Sequence, residues 1–466
     1  MDTNDPIVRD KKRVPGSAWC PTFPVFLFSI LILLPLWLCV LVPITLVCQL
    51  LLLPFKCCRK TKVRRGKDLP TPDLVPVPEF ATRKYDLVLF GATGFTGRLA
   101  ARYLASRYGN QIRWAIAGRR LEALQAVKDK LLDGSTERAN FDPAKVDLIV
   151  ADSTNKQSLV SVVSDTRVVI STVGPFARYG TPLVEMCALY GTSYCDITGE
   201  SDWVREMVDR YDDLAHKTGA YIVSMCGNDC VPWDLSTLML AKHFTQYDKD
   251  GDREVLNEVR FFDEQLGGLS GGTFETIFES LDNRTRYISR LGFDPLLKAS
   301  HAAVPSSDDS KSNEHSSLLV FAQLKSAYKT NVNNQSTVSY SSPARKWIGP
   351  SLMASVMANC VRFSNARLCY SPKLLYVEAS AHAGFMSAIN DMVRLTVFGT
   401  SLFCPPLKWL LRSFVLPKPG SGPTLQFMNE AYLKLTGIGT GSRGHKAKSV
   451  IYFPVDAGYL DTARML

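Results

Sequence analysis

The chain has 466 residues, of which 46% are apolar, 21% charged and 10% aromatic. That composition excludes a disordered tail protein and a collagen-like chain, and it supplies enough apolar side chain for two or three packed domains. The net charge of +10 is lopsided: residues 1–67 hold eleven Lys and Arg against three Asp, so +8 of it sits at one end. A basic balance confined to one end, beside an apolar run, suits a membrane surface and argues against a nucleic-acid partner. The twelve Cys are spread along a long chain, five of them in or beside that run, and call for no oxidising compartment.

Phe23 to Phe55 is almost continuously apolar, and no charged residue lies between Arg13 and Lys56. This is about twice the apolar length of a cleavable signal peptide, so the segment is expected to stay as a membrane anchor over 1–67. As one straight helix it would be about 50 Å long, against a hydrocarbon core of about 30 Å, so it must tilt or bend. Pro35 and Pro43 interrupt it and each removes a backbone donor. A single tilted span, a re-entrant hairpin suited to a lipid-droplet monolayer and a buried soluble helix remain open. Basic clusters flank both ends, the larger after the run, which puts the catalytic domain on the cytosolic side of a lipid droplet or endoplasmic reticulum, with a mitochondrial membrane as the alternative. Cys57 and Cys58 at the boundary are either acylated or free. Residues 68–84, rich in Pro, read as a semi-rigid linker.

Tyr85–Phe90 (YDLVLF) is a short apolar strand followed by Gly91-Ala-Thr93-Gly94-Phe95-Thr96-Gly97 and then by a helical pattern. A glycine-rich turn between strand and helix lets a pyrophosphate meet free N–H groups and the positive end of the helix dipole. The next strand, IRWAIAGRR, ends at Arg119 and Arg120 where an NAD enzyme would carry an acid for the ribose 2′-hydroxyl. A guanidinium there suits a 2′-phosphate, so NADP is expected and NAD remains an alternative; a solvated helix start is the plain reading of the two arginines. The third strand ends in Asp152 and Ser153, suited to the adenine edge. The fourth ends in Gly174-Pro175, where the nicotinamide half would lie.

These stretches, GATGFTGRLAARYL, AGRR, STVGPFARYGTPLVEMCALYGTSYCDITGE and CGNDCVPWDL, together resemble the saccharopine dehydrogenase-like oxidoreductase family, whose members include lipid-droplet proteins and bacterial trans-acting enoyl reductases. The resemblance runs from about Tyr85 to about Pro423 and resumes at DAGYLDTARML. It implies an α/β fold, a Rossmann-type doubly wound parallel sheet over 85–230, an inserted mixed α/β substrate domain over 231–440 and a return to the first domain over 441–466. It also implies that Gly91, Gly94 and Gly97 carry the phosphate turn, Arg119 the adenosine phosphate, and Gly174 and Pro175 the reactive end of the cofactor. The chain stops at Leu466, inside what the resemblance would continue as a final helix. A homodimer is compatible with all of this.

Candidate proton donors are Asp196 and Glu200, at a strand end facing the crevice, although acids at that edge are as often helix caps. Residues 260–281 read as a strand, a glycine-rich turn and a helix opening with Thr273, a third candidate for which a plain helix cap is the simpler reading. The Tyr-x-x-x-Lys pair of short-chain dehydrogenases is absent, and the six His have no metal spacing. Cys226 and Cys230 could pair but suit small packed thiols better. Gly268-Leu-Ser270-Gly-Gly272 matches a nucleophile elbow by chance. Residues 301–316 read as a mobile loop. Residues 397–420, with Trp409 and Phe414 among Lys408 and Arg412, are too interrupted to span and read as either an interfacial segment or a core helix. The expectation is a membrane-associated, NADP-dependent oxidoreductase acting on C=C or C=O of a lipidic substrate; the alternative is a catalytically idle nucleotide-binding protein of a lipid surface.

Overall fold

The computed structural model describes residues 75–132, 141–246, 254–282 and 329–466, besides the isolated Pro43. The expected anchor and the loop at 301–316 lie outside the described residues. Among the described residues no helix is long and apolar enough to cross a membrane.

The first domain alternates strand and helix: β1 (Tyr85–Phe90), α1 (Phe95–Arg107), β2 (Trp114–Gly118), α2 (Leu121–Asp129), β3 (Asp147–Val150), α3 (Lys156–Ser164), β4 (Thr166–Ser171), the short α4 (Phe176–Tyr179), α5 (Thr181–Tyr190), β5 (Ser193–Asp196), α6 (Ser201–Thr218) and β6 (Ile222–Val223). The six strands are ordered β3-β2-β1-β4-β5-β6 and every pair is parallel. Helices cover both faces, which is why these strands read as continuous apolar runs. Val88 and Phe90 pack with Leu159, Val163, Leu183 and Trp203 on one side. Leu89 and Ile116 pack with Ala101, Leu104 and Leu124 on the other.

The second domain consists of α7 (Val231–Gln246), β7 (Leu256–Leu266), α8 (Gly271–Asp282), β8 (Lys329–Val332), β9 (Ser339–Ser341), β10 (Lys346–Gly349), α9 (Ala354–Leu368), β11 (Lys373–His382), α10 (Phe385–Ser401), α11 (Pro405–Leu410), α12 (Leu425–Glu430), β12 (Tyr432–Gly441) and β13 (Lys446–Phe453). Its sheet is mixed and ordered β13-β12-β7-β11-β10-β9, with β8 pairing parallel to β11. Helices α7 and α9 bury Trp233, Leu240, Met357 and Val361 against Val259, Phe261, Tyr376 and Leu435 of the sheet. The chain is therefore an α/β protein: a Rossmann-like parallel sheet joined to a second, mixed-sheet domain.

Three expectations need correction. The hairpin β12–β13 pairs from Leu433↔Phe453 to Thr440↔Lys446, so the expected boundary at 440/441 cuts a continuous ladder. Only the last residues return to the first domain, where α13 (Thr462–Met465) sets Ala463 and Leu466 against the α1 side. Within the linker, Val75 packs on the first core and Arg83 is 2% exposed. Arg83 donates to the Thr166 carbonyl (2.6 Å), Thr192 Oγ1 (2.7 Å) and the Tyr190 carbonyl (2.7 Å), so residues from about 75 are docked on the domain and are no spacer. Finally, 397–420 is no core helix. Trp409, Phe414 and Val415 are 62%, 73% and 63% exposed, while Lys408 and Arg412 pair with Asp282 and Glu275 of α8.

Candidate active site

The crevice begins at the turn between β1 and α1. Gly91 has φ +91°, and a β-carbon there would lie 2.6 Å from Val173 Cγ2. A β-carbon on Gly97 would fall on the Gly91 carbonyl oxygen. Both positions therefore need glycine for backbone reasons. Gly94 differs, because its β-carbon would meet only the Gly91 oxygen, at 3.2 Å. Glycine there leaves a cradle in front of α1, whose N-terminus has no side-chain cap. Free first-turn N–H groups and an open cradle fit a pyrophosphate. Thr93 and Phe95 are partly exposed in this turn and Thr96 is buried. Arg98 secures it, donating to the Thr93 carbonyl (2.6 Å) and to the Gly420 carbonyl (2.8 Å) of the second domain.

At the end of β2, Arg119 and Arg120 are exposed and occupy the positions where a ribose-binding acid would stand. Asp152 lies near enough for the Arg119 charge to help lower its pKa, after the larger influence of hydrogen bonds from Thr154. Asp152 Oδ1 accepts both the N–H (2.9 Å) and the hydroxyl (2.8 Å) of Thr154, and Ser153 is 4% exposed. Of the pair expected at the adenine edge, Ser153 is buried and one Asp152 oxygen serves its own turn. Gly174 is exposed beyond β4, and Pro175 opens α4.

The carboxylates at the same sheet edge have other duties. Asp196 is fully buried and accepts from Tyr194 OH (2.9 Å), Thr198 N–H (3.0 Å), Met225 N–H (3.1 Å) and Ser224 Oγ (3.2 Å). Burial outweighs these bonds and pushes it up to about 6. Glu200 accepts the N–H groups of Phe176 (2.7 Å) and Ala177 (2.9 Å), capping α4, and burial pushes it up to about 7. Both expected acids are thus bound into the frame beside Gly174-Pro175.

Helix α8 lies across this crevice. It starts at Gly271, two residues before the expected opening, and Thr273 N–H donates to Ser270 Oγ at 3.3 Å, so Ser270 is the cap. Thr273 Oγ1 is 2.8 Å from the Tyr459 hydroxyl, and the Tyr459 ring meets Phe95 of the glycine turn edge-on, with centroids 5.1 Å apart. One turn on, Thr276 Oγ1 would be 3.7 Å from a β-carbon on Gly174. Further along, the Glu279 charge helps raise the Glu200 pKa. The helix therefore runs from the phosphate turn to the nicotinamide end. Sequence reasoning gives no role to Tyr459 or Arg98 and takes Ser270 only as part of a chance motif, although the stretch DAGYLDTARML that carries Tyr459 belongs to the resemblance.

Cys226 and Cys230 do not pair: both are free thiols, Cys230 buried and Cys226 donating to the Val223 carbonyl at 3.5 Å. Among the described residues no group of three or more His, Cys, Asp or Glu could hold a metal ion.

A strand-turn-helix with an uncapped N-terminus, an arginine in place of the ribose acid and a second domain closing the crevice define a dinucleotide-dependent oxidoreductase. The profile of the saccharopine dehydrogenase NADP binding domain matches residues 87–223, the stretch that builds the first sheet. A Mycobacterium tuberculosis protein provisionally named a trans-acting enoyl reductase is 33% identical over 396 residues, covering 82% of this chain and 87% of its own. A trans-acting enoyl reductase of Mycobacterium bovis BCG is 30% identical over 400 residues, covering 83% and 88%. Apo saccharopine dehydrogenase (L-Glu forming) from Saccharomyces cerevisiae covers 82% of this chain and 88% of its own, at 13% identity and a TM-score of 0.41, too distant to carry weight. The chain belongs to the saccharopine dehydrogenase-like oxidoreductase family and its cofactor is NADP.

Proposed function

We propose that this protein uses NADPH to reduce an activated C=C or C=O bond of a lipidic substrate at a membrane or lipid-droplet surface. The reading for C=C draws on relatives named for enoyl reduction. Gly91, Gly94, Gly97 and the α1 N-terminus would hold the pyrophosphate, and Arg119 the 2′-phosphate. The nicotinamide supplies the hydride. The observation that carries the lipidic part is the pair Trp409 and Phe414, whose rings meet at 5.6 Å and stand open to solvent beside α8, the helix that lines the crevice. Exposed aromatic side chains beside Lys408 and Arg412 form a surface suited to the headgroup boundary. The uncharged run Phe23–Phe55 would supply the main anchor.

The commitment of Asp196 and Glu200 to backbone N–H groups favours the other reading, a nucleotide-binding lipid-surface protein without turnover. One assay separates them. The full chain is mixed with NADPH and a medium-chain trans-2-enoyl thioester, or the matching β-ketone, and oxidation is followed at 340 nm. Saturable oxidation supports the reductase. NADPH binding by fluorescence without oxidation of either substrate overturns it. Gly94→Asp, which fills the cradle with a side chain and a negative charge, serves as the control and should abolish NADPH binding.

A further inference from the structure

Hydride addition leaves an electron pair on the substrate, as an enolate from an enoyl group or an alkoxide from a ketone, and a proton must meet it. Asp196 and Glu200 are engaged elsewhere. The crevice contains a second kind of acid, a short chain of hydroxyls joining the two domains. Tyr459 OH accepts the Ser270 N–H at 2.5 Å and lies 2.8 Å from Thr273 Oγ1, a contact in which either hydroxyl can donate. Thr273 is partly exposed on the face of α8 whose next turn reaches Gly174. Tyr459 is 6% exposed, packed with Met428, Val455 and Leu460 and closed off by Phe95.

We propose that Tyr459 and Thr273 form the proton relay of this crevice, Thr273 meeting the substrate and Tyr459 restocking Thr273. The proposal rests on the reductase reading above. In the transfer, the Thr273 O–H bond breaks as the substrate anion takes the proton, and the Tyr459 O–H bond breaks as its proton passes to Thr273 Oγ1. The phenolate that remains accepts from Ser270 N–H and from Thr273 O–H, bonds that strengthen when the acceptor is charged. Water then returns one proton to Tyr459, so the chain ends as it began. Burial holds the phenol above its ordinary pKa. Asp229, from the turn after β6, acts in the same direction, and Asp456 bonds the Tyr459 backbone N–H from the same turn. Tyr459 therefore keeps its proton throughout the neutral range.

The test uses the full chain with Tyr459→Phe, Thr273→Val and Thr273→Ser, NADPH, and the enoyl thioester probe. Tyr459→Phe and Thr273→Val should each lower kcat by about 100-fold or more, the usual worth of general acid catalysis. KM, and NADPH affinity measured by fluorescence, should stay within about twofold. Thr273→Ser, which keeps the hydroxyl, should retain most of the turnover. The parent should lose activity on an alkaline limb that Tyr459→Phe lacks. A role confined to pinning the glycine-rich turn would instead weaken NADPH binding and leave the pH profile in place, and that result overturns the relay. So does a Tyr459→Phe or Thr273→Val variant that turns over within tenfold of the parent. Absence of any turnover by the parent overturns the reductase reading itself, and the relay with it, which is a different outcome from an active parent with active variants.

Discussion

The two sheets of this protein both bury carboxylates, and they treat them differently. At the edge of the parallel sheet, Asp196 and Glu200 each accept two backbone N–H groups, and burial raises them only to about 6 and 7. On the mixed sheet, neighbouring strands carry Asp263 and Glu378, which accept from hydroxyls: Ser380 for Asp263, and Tyr376 and Ser351 for Glu378. They also repel each other, and burial with that repulsion lifts them to about 7 and 8. Asp263 Oδ1 is buried without a hydrogen-bond partner. Backbone dipoles are fixed by the fold and favour the anion, whereas a hydroxyl can turn to serve either protonation state. The first pair are struts of the crevice, whereas in the second pair Glu378, raised to about 8, holds its proton near neutrality.

The largest test of this contrast is Asp196→Ala, which strands the N–H groups of Thr198 and Met225 and the hydroxyl of Tyr194. It should cost roughly 2–5 kcal/mol, read as a lower urea midpoint at unchanged slope. A near-neutral result would break the distinction. Arg119→Ala should leave folding alone and weaken NADPH binding by about 1.5–3 kcal/mol, with NADH nearly untouched. Equal losses for both nucleotides in a fluorescence titration would remove Arg119 from the phosphate.

The mixed-sheet acids predict a sign. Their folded pKa values lie above those of an unfolded carboxyl, near 4, so between about pH 4 and pH 8 the unfolded chain binds fewer protons and stability falls as pH rises. Glu378→Gln removes the ionisation, and its midpoint should gain on the parent between pH 5 and pH 8 by an amount on the order of 1–2 kcal/mol. Parallel pH curves for the two proteins would show that Glu378 does not carry this pH dependence. Smallest of all, Trp409→Ser with Phe414→Ser should move the midpoint by no more than about 0.5 kcal/mol, since neither ring is buried. The same pair should reduce flotation of the full chain with phosphatidylcholine vesicles. A large loss of stability would mean that the patch is covered within the protein.

Much of the parallel sheet could be read from the chain. The strand Tyr85–Phe90 runs to both predicted ends. The glycine turn and Arg119 were legible because a phosphate site built from main chain demands particular residues at particular spacings within one strand-turn-helix. Less could be read past residue 230. There, β7 and β11 lie side by side in parallel although more than a hundred residues separate them, and no local pattern encodes that partnership. Thr273 is legible as a candidate, but its bond to Tyr459 is not, since that residue comes from 186 positions away.

By itself, then, the sequence determined the dinucleotide half of the crevice and the preference for a phosphorylated ribose, because those depend on short-range backbone geometry and on one missing acid. Only the tertiary structure decided which polar groups are at liberty. It tied Asp196 and Glu200 to backbone N–H groups across β5–β6 and α4, carried β13 into the second sheet, and brought Tyr459, 186 residues from Thr273, to within a hydrogen bond of it. A side chain's chemistry is set by what desolvates it and what it bonds, and those neighbours arrive from distant parts of the chain when the two domains close on each other.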